Sequence, residues 1–415
     1  MQLLRYLATA TGLAFDSIRA HKLRSFLTLL GVIIGVASVI LVGAAIDGLG
    51  VYAEQITAKA FGTDSFLVAQ IASVGRLTRK QIIEKQRYNK RIRPEDMAYL
   101  RDVTGASLIY ALYQQRMADV KSENQTYEDA NVIGASPELA EIRDIPVEDG
   151  RFFTPTEEQV RAPVCVIGPD IANALFPGLN PLERTLRLSG VDFSVVGLLE
   201  RQGSSFGQSL DNPVYIPIGV YMQLFGGRDR SVMFGRARRA TGLTMDDALD
   251  ETRNALRSHF HARPGKDDNF DVLTPDSVRS FTGQILGVIA AIVVPVTGIS
   301  LVVGGIVIMN IMLVSVTERT REIGIRKSLG ARQNDIMLQF LTESLLLSLT
   351  GGLLGLGSGW ALALLIEQLS GATLQVTATY VIISIAVSSI VGILSGWYPA
   401  RRAARLDPVV ALRAE

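Results

Sequence analysis

The chain alternates long uncharged stretches with one long stretch patterned like a soluble domain. Four apolar blocks stand out, at roughly 26–46, 285–316, 344–366 and 380–398. Each meets the roughly 20-residue requirement for a helix crossing a bilayer. At 1.5 Å per residue the second would run about 48 Å, against a hydrocarbon core of roughly 30 Å. It must tilt or project from the membrane. Between the first two blocks, apolar and polar residues alternate in short runs. These predict strands at 65–69, 107–110, 113–120, 131–135, 164–167, 185–188, 193–199, 215–216 and 271–273. Helices are predicted at 169–175, 220–225 and 244–260. Residues 75–93 are rich in Arg and Lys and read as a flexible, solvated loop before a helix start at Arg93-Pro94-Glu95-Asp96. Thr274 reads as the N-cap of the helix that becomes the second span. The expected fold is a membrane protein of four transmembrane α-helices, with a large α+β extracytoplasmic domain between helices one and two.

Charge sets the orientation. Arg5, Arg19, Lys22 and Arg24 precede the first span. Arg319, Arg321, Arg326, Lys327 and Arg332 separate the second from the third. Arg401, Arg402, Arg405 and Arg413 follow the fourth, while 367–379 has no Lys or Arg. By the positive-inside rule both termini and the 317–339 loop are cytoplasmic, and 47–279 is outside. The first span has a basic flank, but its apolar run is too long for a signal peptide. Glycines recur at four-residue spacing: Gly31/Gly35, Gly351/Gly355/Gly359 and Gly392/Gly396. That spacing lets helix backbones approach closely, within one chain or across a dimer.

Composition excludes several functions. A net charge of +1 gives no nucleic-acid footprint. The single cysteine, Cys165, excludes an internal disulfide and a multi-cysteine metal site. Three histidines form no zinc pattern. There is no G-x-x-x-x-G-K-[ST] loop, no G-x-S-x-G elbow preceding a helix and no H-E-x-x-H. The spans carry essentially no charge, so proton-coupled transport lacks its machinery. Glu343, at the entry to the third span, reads as interfacial.

The segment 318–332 reads as a short amphipathic helix, with Ile323, Ile325 and Leu329 apolar and Gly330 at its end. By residues alone it could serve a partner protein or lie on anionic headgroups. Its run Glu318-Arg319-Thr320-Arg321-Glu322-Ile323-Gly324-Ile325-Arg326-Lys327-Ser328-Leu329-Gly330-Ala331 resembles the cytoplasmic signature of MacB/FtsX-like ABC-transporter permeases. The tail Pro399-Ala400-Arg401-Arg402-Ala403-Ala404-Arg405-Leu406-Asp407-Pro408 is similar to their C-terminal signature. The start, His21-Lys22-Leu23-Arg24-Ser25-Phe26-Leu27-Thr28 through Gly31-Val32-Ile33-Ile34-Gly35, resembles their first membrane helix. Glu148-Asp149-Gly150-Arg151-Phe152-Phe153 and Gly203-Ser204-Ser205-Phe206-Gly207 fit the MacB-type external domain.

The resemblance implies a dimerising, type VII permease of the bacterial inner membrane that works with a pair of cytoplasmic ABC ATPases. MacB carries its ATPase ahead of the first span; with about 20 residues there, this chain is expected to use a separate one. No cofactor is expected on the chain itself, ATP-Mg being held by the ATPase. Further expected partners are a second permease subunit as homodimer, a periplasmic adaptor with an outer-membrane exit duct, and membrane lipid. The family's mode of action implies mechanotransmission: ATP turnover moves the external domain and drives efflux. The alternative is FtsX-type signalling to an external cell-wall hydrolase. The implied layout is a cytoplasmic helix 1–25, first span and extension 26–60, a porter-like part 61–133 with 228–275, and a sabre-like part 134–227. It continues with the second span and stalk 276–317, coupling helix and loop 318–339, third span 340–366, external loop 367–379, fourth span 380–398 and tail 399–415. In the coupling helix, Ile323 and Leu329 are expected to contact the ATPase, with Glu318, Arg321, Glu322, Arg326 and Lys327 as charged rim. Gly324 is expected to permit close approach, and Gly330 to end the helix.

Overall fold

The structure is a computed structural model describing residues 22–123, 125–205, 208–227, 230–370 and 374–413. The helix expected over 1–25 lies almost wholly outside these residues, as do Phe206 and Gly207 of the second external motif. The chain divides into two compact units, Ala53–Gly283 and a helical unit built from the segments on either side of it.

The α+β unit is organised on one sheet. Its strands are β1 (Ser65–Ala69), β2 (Leu108–Ser122), β3 (Gln125–Ala135), β4 (Val147–Gly150), β5 (Val164–Ile167) and β6 (Thr185–Leu188). They continue with β7 (Val191–Leu199), β8 (Ser204–Ser205), β9 (Gln208–Ser209), β10 (Pro213–Pro217), β11 (Val232–Ala237) and β12 (Asp271–Leu273). The order is β12-β1-β11-β2-β3-β10-β5-β7-β4, with β6 joined to β2 and β7, and β8 paired only with β9. The alternation in β2 shows why the sheet is covered on both faces. Leu108, Tyr110 and Leu112 enter one core with Phe66, Met97, Leu100, Leu249 and Leu256, beneath helices Pro94–Thr104 and Met245–His259. Ile109 and Ala111 enter another with Phe61, Ile133, Leu139 and Ile142. A third core, holding Cys165, Ile167, Leu186, Phe193 and Tyr221, covers the β5–β7 end. Two residues apart points the same way on a strand, so one stretch of β2 serves two cores.

Two expectations are corrected here. The runs at 107–110 and 113–120 form one strand, because Ala111 and Leu112 between them stay paired with Phe234 and Met233 of β11. The basic loop at 75–93 contains a helix, Arg79–Tyr88. Thr78 begins it with a capping box: Gln81 N–H donates to Thr78 Oγ1 at 3.4 Å, and Thr78 N–H donates to Gln81 Oε1 at 2.9 Å. It buries no residue, so apolar periodicity carried no signal of it.

The helical unit contains, among the described residues, four helices long and apolar enough to cross a membrane. They are Lys22–Phe61, Pro275–Glu318, Gln333–Ser370 and Ala378–Ala404. The second is 44 residues long, about 66 Å at the helical rise. The expected glycines all lie at contacts between helices of this chain. A Cβ on Gly351, Gly355 or Gly359 would meet the Cβ of Val32, Val36 or Ile40 at 3.1, 2.8 and 3.1 Å. Both series climb by four, so the first and third helices run parallel. Gly31 and Gly35 meet Gly304 and Leu301 of the second helix. Gly392 and Gly396 face Ser348 and Ser344, and Gly352 faces Ser388. These pairs run in opposite directions, so the third and fourth helices are antiparallel. At the centre Ser388 Oγ donates to Ser348 O at 2.6 Å, and Ser348 Oγ donates to Ser388 O. Small side chains allow that approach, and the hydroxyls satisfy themselves without water.

Candidate coupling site

The signature segment forms helix Thr320–Ser328 between the second and third membrane helices. Glu318 is not part of it: it is the last residue of the second helix. Arg319 makes the corner. The helix ends at Leu329, after which Gly330 takes φ +96°, a conformation that a side chain resists.

Ile323 and Gly324 turn inward, which corrects the expectation that they face a partner. Ile323 is 2% exposed and packs with Val316, Ile336, Phe340, Ala400 and Ala403. The helix is short and lies on the ends of its own neighbours, so its most regular apolar position is spent there. Outward-facing apolar residues are Leu329, 83% exposed, and Ile325, 45% exposed. Ile325 was not an expected contact.

The basic residues also divide. Lys327 is no rim residue: its Nζ donates to the carbonyls of Ala404 and Leu406, each at 2.7 Å. A cation there satisfies carbonyls left open at the end of the fourth helix. Arg326 donates to Gln339 Oε1 at 2.6 Å and pairs with Glu322 at 2.5 Å. Arg319 lies 3.4 Å from buried Glu343 on the third helix. Glu318, Arg321 and Glu322 are exposed.

The tail supplies residues that the sequence reading did not select. Helix Pro408–Arg413 packs against the coupling helix. Asp407 caps it, accepting from Val409 N–H at 2.8 Å. Ala411 is buried, while Val409 and Val410 are 61% and 65% exposed. The signal was available: two β-branched apolar residues after a capped proline have no reason of their own to face water.

The α+β unit has its own polar features. Arg151 of the first external motif grips Glu157 with two nitrogens, at 2.8 and 2.7 Å. With the Thr154 cap, that holds the Glu157 carboxyl down at about 2. Phe153 is buried beside it. This motif is therefore architectural. A cleft of about 920 Å³ is lined by Lys59, Thr63, Tyr113, Arg143, Asp144 and Gln202, among others. Burial would raise the Asp144 carboxyl, but Thr63, through Oγ1 at 2.8 Å and N–H at 3.2 Å, and Arg236 at 3.2 Å outweigh it and lower it. Burial pushes Tyr113 up to about 12 despite Arg143 beside it. No group of three or more metal-ligating side chains occurs among the described residues.

Known proteins place this architecture. A family profile described as MacB-like periplasmic core domain matches residues 25–258, and one described as FtsX-like permease C-terminal matches 280–408. The macrolide export ATP-binding/permease protein MacB of Rhodospirillum rubrum is 38% identical over 413 residues, covering 98% of this chain and 60% of that protein. The ABC transporter permease YknZ of Bacillus subtilis is 32% identical over 406 residues, covering 97% of this chain and 98% of YknZ. A crystal structure of the periplasmic region of MacB from Actinobacillus actinomycetemcomitans aligns with TM-score 0.42 and 15% identity, over 54% of this chain and 94% of that one. The chain spans about 60% of the length of the MacB relatives it matches. One profile covers more than half the chain and YknZ matches over nearly its whole length, so the chain belongs to the MacB/FtsX-like family of ABC-transporter permeases, multi-pass membrane proteins with a periplasmic domain.

Proposed function

We propose that this permease couples ATP hydrolysis on a separate ABC ATPase dimer to movement of its periplasmic domain, and so drives efflux. The carrying observation is the coupling helix. It is tied inward to the third and fourth membrane helices by Ile323, Arg326 and Lys327, and holds Ile325 and Leu329 outward. A load applied to its outer face must pass into those helices. The docking surface is drawn as Ile325 and Leu329 with Val409 and Val410 of the tail, rimmed by Glu318, Arg321 and Glu322. That is the usual arrangement of an apolar anchor within a polar border. ATP and Mg²⁺ belong to the ATPase, as the sequence has no phosphate-binding loop of its own.

In this reading both termini and the coupling helix are cytoplasmic and the α+β unit is periplasmic. The parallel first and third helices, with the third and fourth antiparallel, suit that alternation. A second copy of the permease completes the transporter, and an adaptor and outer-membrane duct receive the substrate. Within the α+β unit the porter-like part is 61–133 with 228–275, and the sabre-like part is 134–227. Separate cores around Leu100 and Phe193 support that division, while the continuous sheet and the core around Ile142 couple the parts.

The test is Leu329→Asp. A charge at so exposed a position leaves the permease folded, yet should abolish co-purification of ATPase activity with the tagged protein. Undiminished ATPase co-purification would remove this surface from the docking site.

A further inference from the structure

Helix Arg79–Tyr88 buries nothing, yet it is fixed in place, chiefly by Asp271. That carboxylate, on edge strand β12, accepts from Lys85 Nζ at 2.6 and 2.7 Å, from Asn89 Nδ2 at 3.0 Å and from Ala72 N–H at 3.0 Å. Lys90 N–H donates to Asn269 O at 2.7 Å, and Tyr88 OH donates to Asp267 O at 3.1 Å. These ties hold the helix against the segment 260–272 and leave a groove of about 1830 Å³ lined by both. Every residue lining it lies within the unit Ala53–Gly283. A small ligand is suited by roughly 300–1,000 Å³, so this larger groove fits an extended segment better.

Charge in the groove is one-sided once its internal pairs are set aside. Lys85 is committed to Asp271, and Arg253 to Asp268. Arg79, Lys80, Arg87, Lys90, Arg263 and Lys266 remain, all exposed, against Glu84 and Asp267. None of these six cationic groups has a hydrogen-bond or ion-pair partner among the described residues. Ile83 and Tyr88, also lining the groove, are exposed. Asn269 lines it too and is only 8% exposed. Its Nδ2 donates to Phe260 O at 3.3 Å, while its Oδ1 is buried without a hydrogen-bond partner. Turning the amide over would set Oδ1 against the Phe260 carbonyl, so the orphaned atom stays an acceptor. A buried acceptor costs free energy until something donates to it. The groove thus asks for three things together: anionic groups for its cations, an apolar group for Ile83 and Tyr88, and one donor for Asn269.

We infer that this groove binds an acidic, extended peptide segment of a periplasmic partner protein. Carboxylates of the segment pair with the arginines and lysines of both walls. An apolar side chain between them packs on Ile83 and Tyr88, and one main-chain N–H donates to Asn269 Oδ1. An extended peptide carries all three kinds of group, its side chains alternating in direction and its amides free to donate. A sulfated or phosphorylated glycan brings anions and hydroxyls but offers Ile83 nothing apolar. The inference rests on the periplasmic assignment of this unit and is independent of ATPase coupling.

The test uses the full chain in detergent and a fluorescein-labelled probe peptide, read by anisotropy. The probe alternates acidic with small polar residues around one central leucine. It should bind, and binding should weaken as salt is added. The combined Arg263→Gln and Lys266→Gln change, at two exposed positions, should weaken binding by up to about fivefold per cation removed. Methylating the probe's amide nitrogens one at a time should weaken binding about fivefold at a single position, where the bond to Asn269 is lost. That arm needs no change in the protein, so the test stands even where a variant misfolds. Absence of binding at low salt would overturn the inference, as would binding that neither the double variant nor any methylation weakens. Tighter binding of a sulfated oligosaccharide of equal charge, with the central leucine of the probe dispensable, would also overturn it and assign the groove to an anionic glycan.

Discussion

Glu158 gives the periplasmic domain a calculable pH dependence. Burial, and then the neighbouring Glu138, push its carboxyl up to about 7, while Arg101 offsets part of the rise. Arg101 is committed to Glu138 at 2.7 Å, and the second Glu138 oxygen is buried without a hydrogen-bond partner. The folded-state value lies above the unfolded one. Stability is therefore fully present below the unfolded pKa of about 4.5 and is lost as pH rises through the folded value near 7. The full shift corresponds to about 3 kcal/mol at 1.36 kcal/mol per unit; solvent screening of this part-exposed group reduces it to about 1–2 kcal/mol. Glu158→Gln keeps the shape and removes the titration. Cys165 supplies the assay, being the single cysteine of the chain and fully buried in this domain. Its labelling rate under conditions of fast reclosing reports the opening equilibrium. At about pH 8 the variant should label roughly 5–30 times more slowly than the wild type, and at about pH 4 at nearly the same rate. A ratio that does not change with pH would refute the carboxyl–carboxylate reading.

Two further outcomes check the helical unit and the orientation. Gly392→Leu places a branched side chain where a Cβ already meets Ser348 Cβ at 2.7 Å; it should cost about 1–3 kcal/mol of stability in detergent, read as a lower unfolding temperature. Met117→Cys, at an exposed position of β2, should be labelled by an impermeant maleimide in spheroplasts, and Ser328→Cys should not; the opposite pattern would reverse the topology and remove the coupling proposal with it.

Most of the architecture was legible where one signal dominated. Uncharged runs located all four long helices, and β1, β5, β6 and β12 fall where period-two patterning placed them. The boundaries were less legible, because polar first turns continue a helix without apolar warning. The third helix begins at Gln333, well ahead of its apolar run, because Asp335 accepts from Arg332 N–H at 3.1 Å and caps that start. Strand β11, Val232–Ala237, was missed because Gly235 and Arg236 break its apolar pattern. Gly235 is required there by the close ring of Phe66, and Arg236 is buried, bonded to Glu141 O at 2.8 Å and Asp144 at 3.2 Å. Both reasons belong to the tertiary structure. The fourth helix shows the opposite case. Ser384, Ser388, Gly392 and Gly396 form one small-residue series, of which a glycine count recovers only half.

The coupling segment shows how a correct motif can yield wrong residue roles. Its arginines and lysine were counted together as cytoplasmic charge, and that count needs no geometry. The structure gives them separate tasks. Arg319 accompanies buried Glu343, Arg326 holds Gln339, and Lys327 closes the end of the fourth helix. Two cations on one short helix, and a third at the corner before it, thus reach two different membrane helices, and Ile323 packs among residues of both. A helix merely adsorbed on headgroups has no use for such ties, since lipid reads total charge and not position. A helix that receives force needs them, because each contact resists shear in a different direction. In the proposed topology, the charge that orients the chain in the membrane is therefore also the charge that fastens this helix to its neighbours. Lys327→Met separates the two uses. One cation among many leaves the orientation unchanged, while the Ala404 and Leu406 carbonyls lose their donor. The permease should still bind its ATPase through Leu329, yet transmit less, seen as ATP turnover uncoupled from export. Full export by this variant would show that the fastening is dispensable.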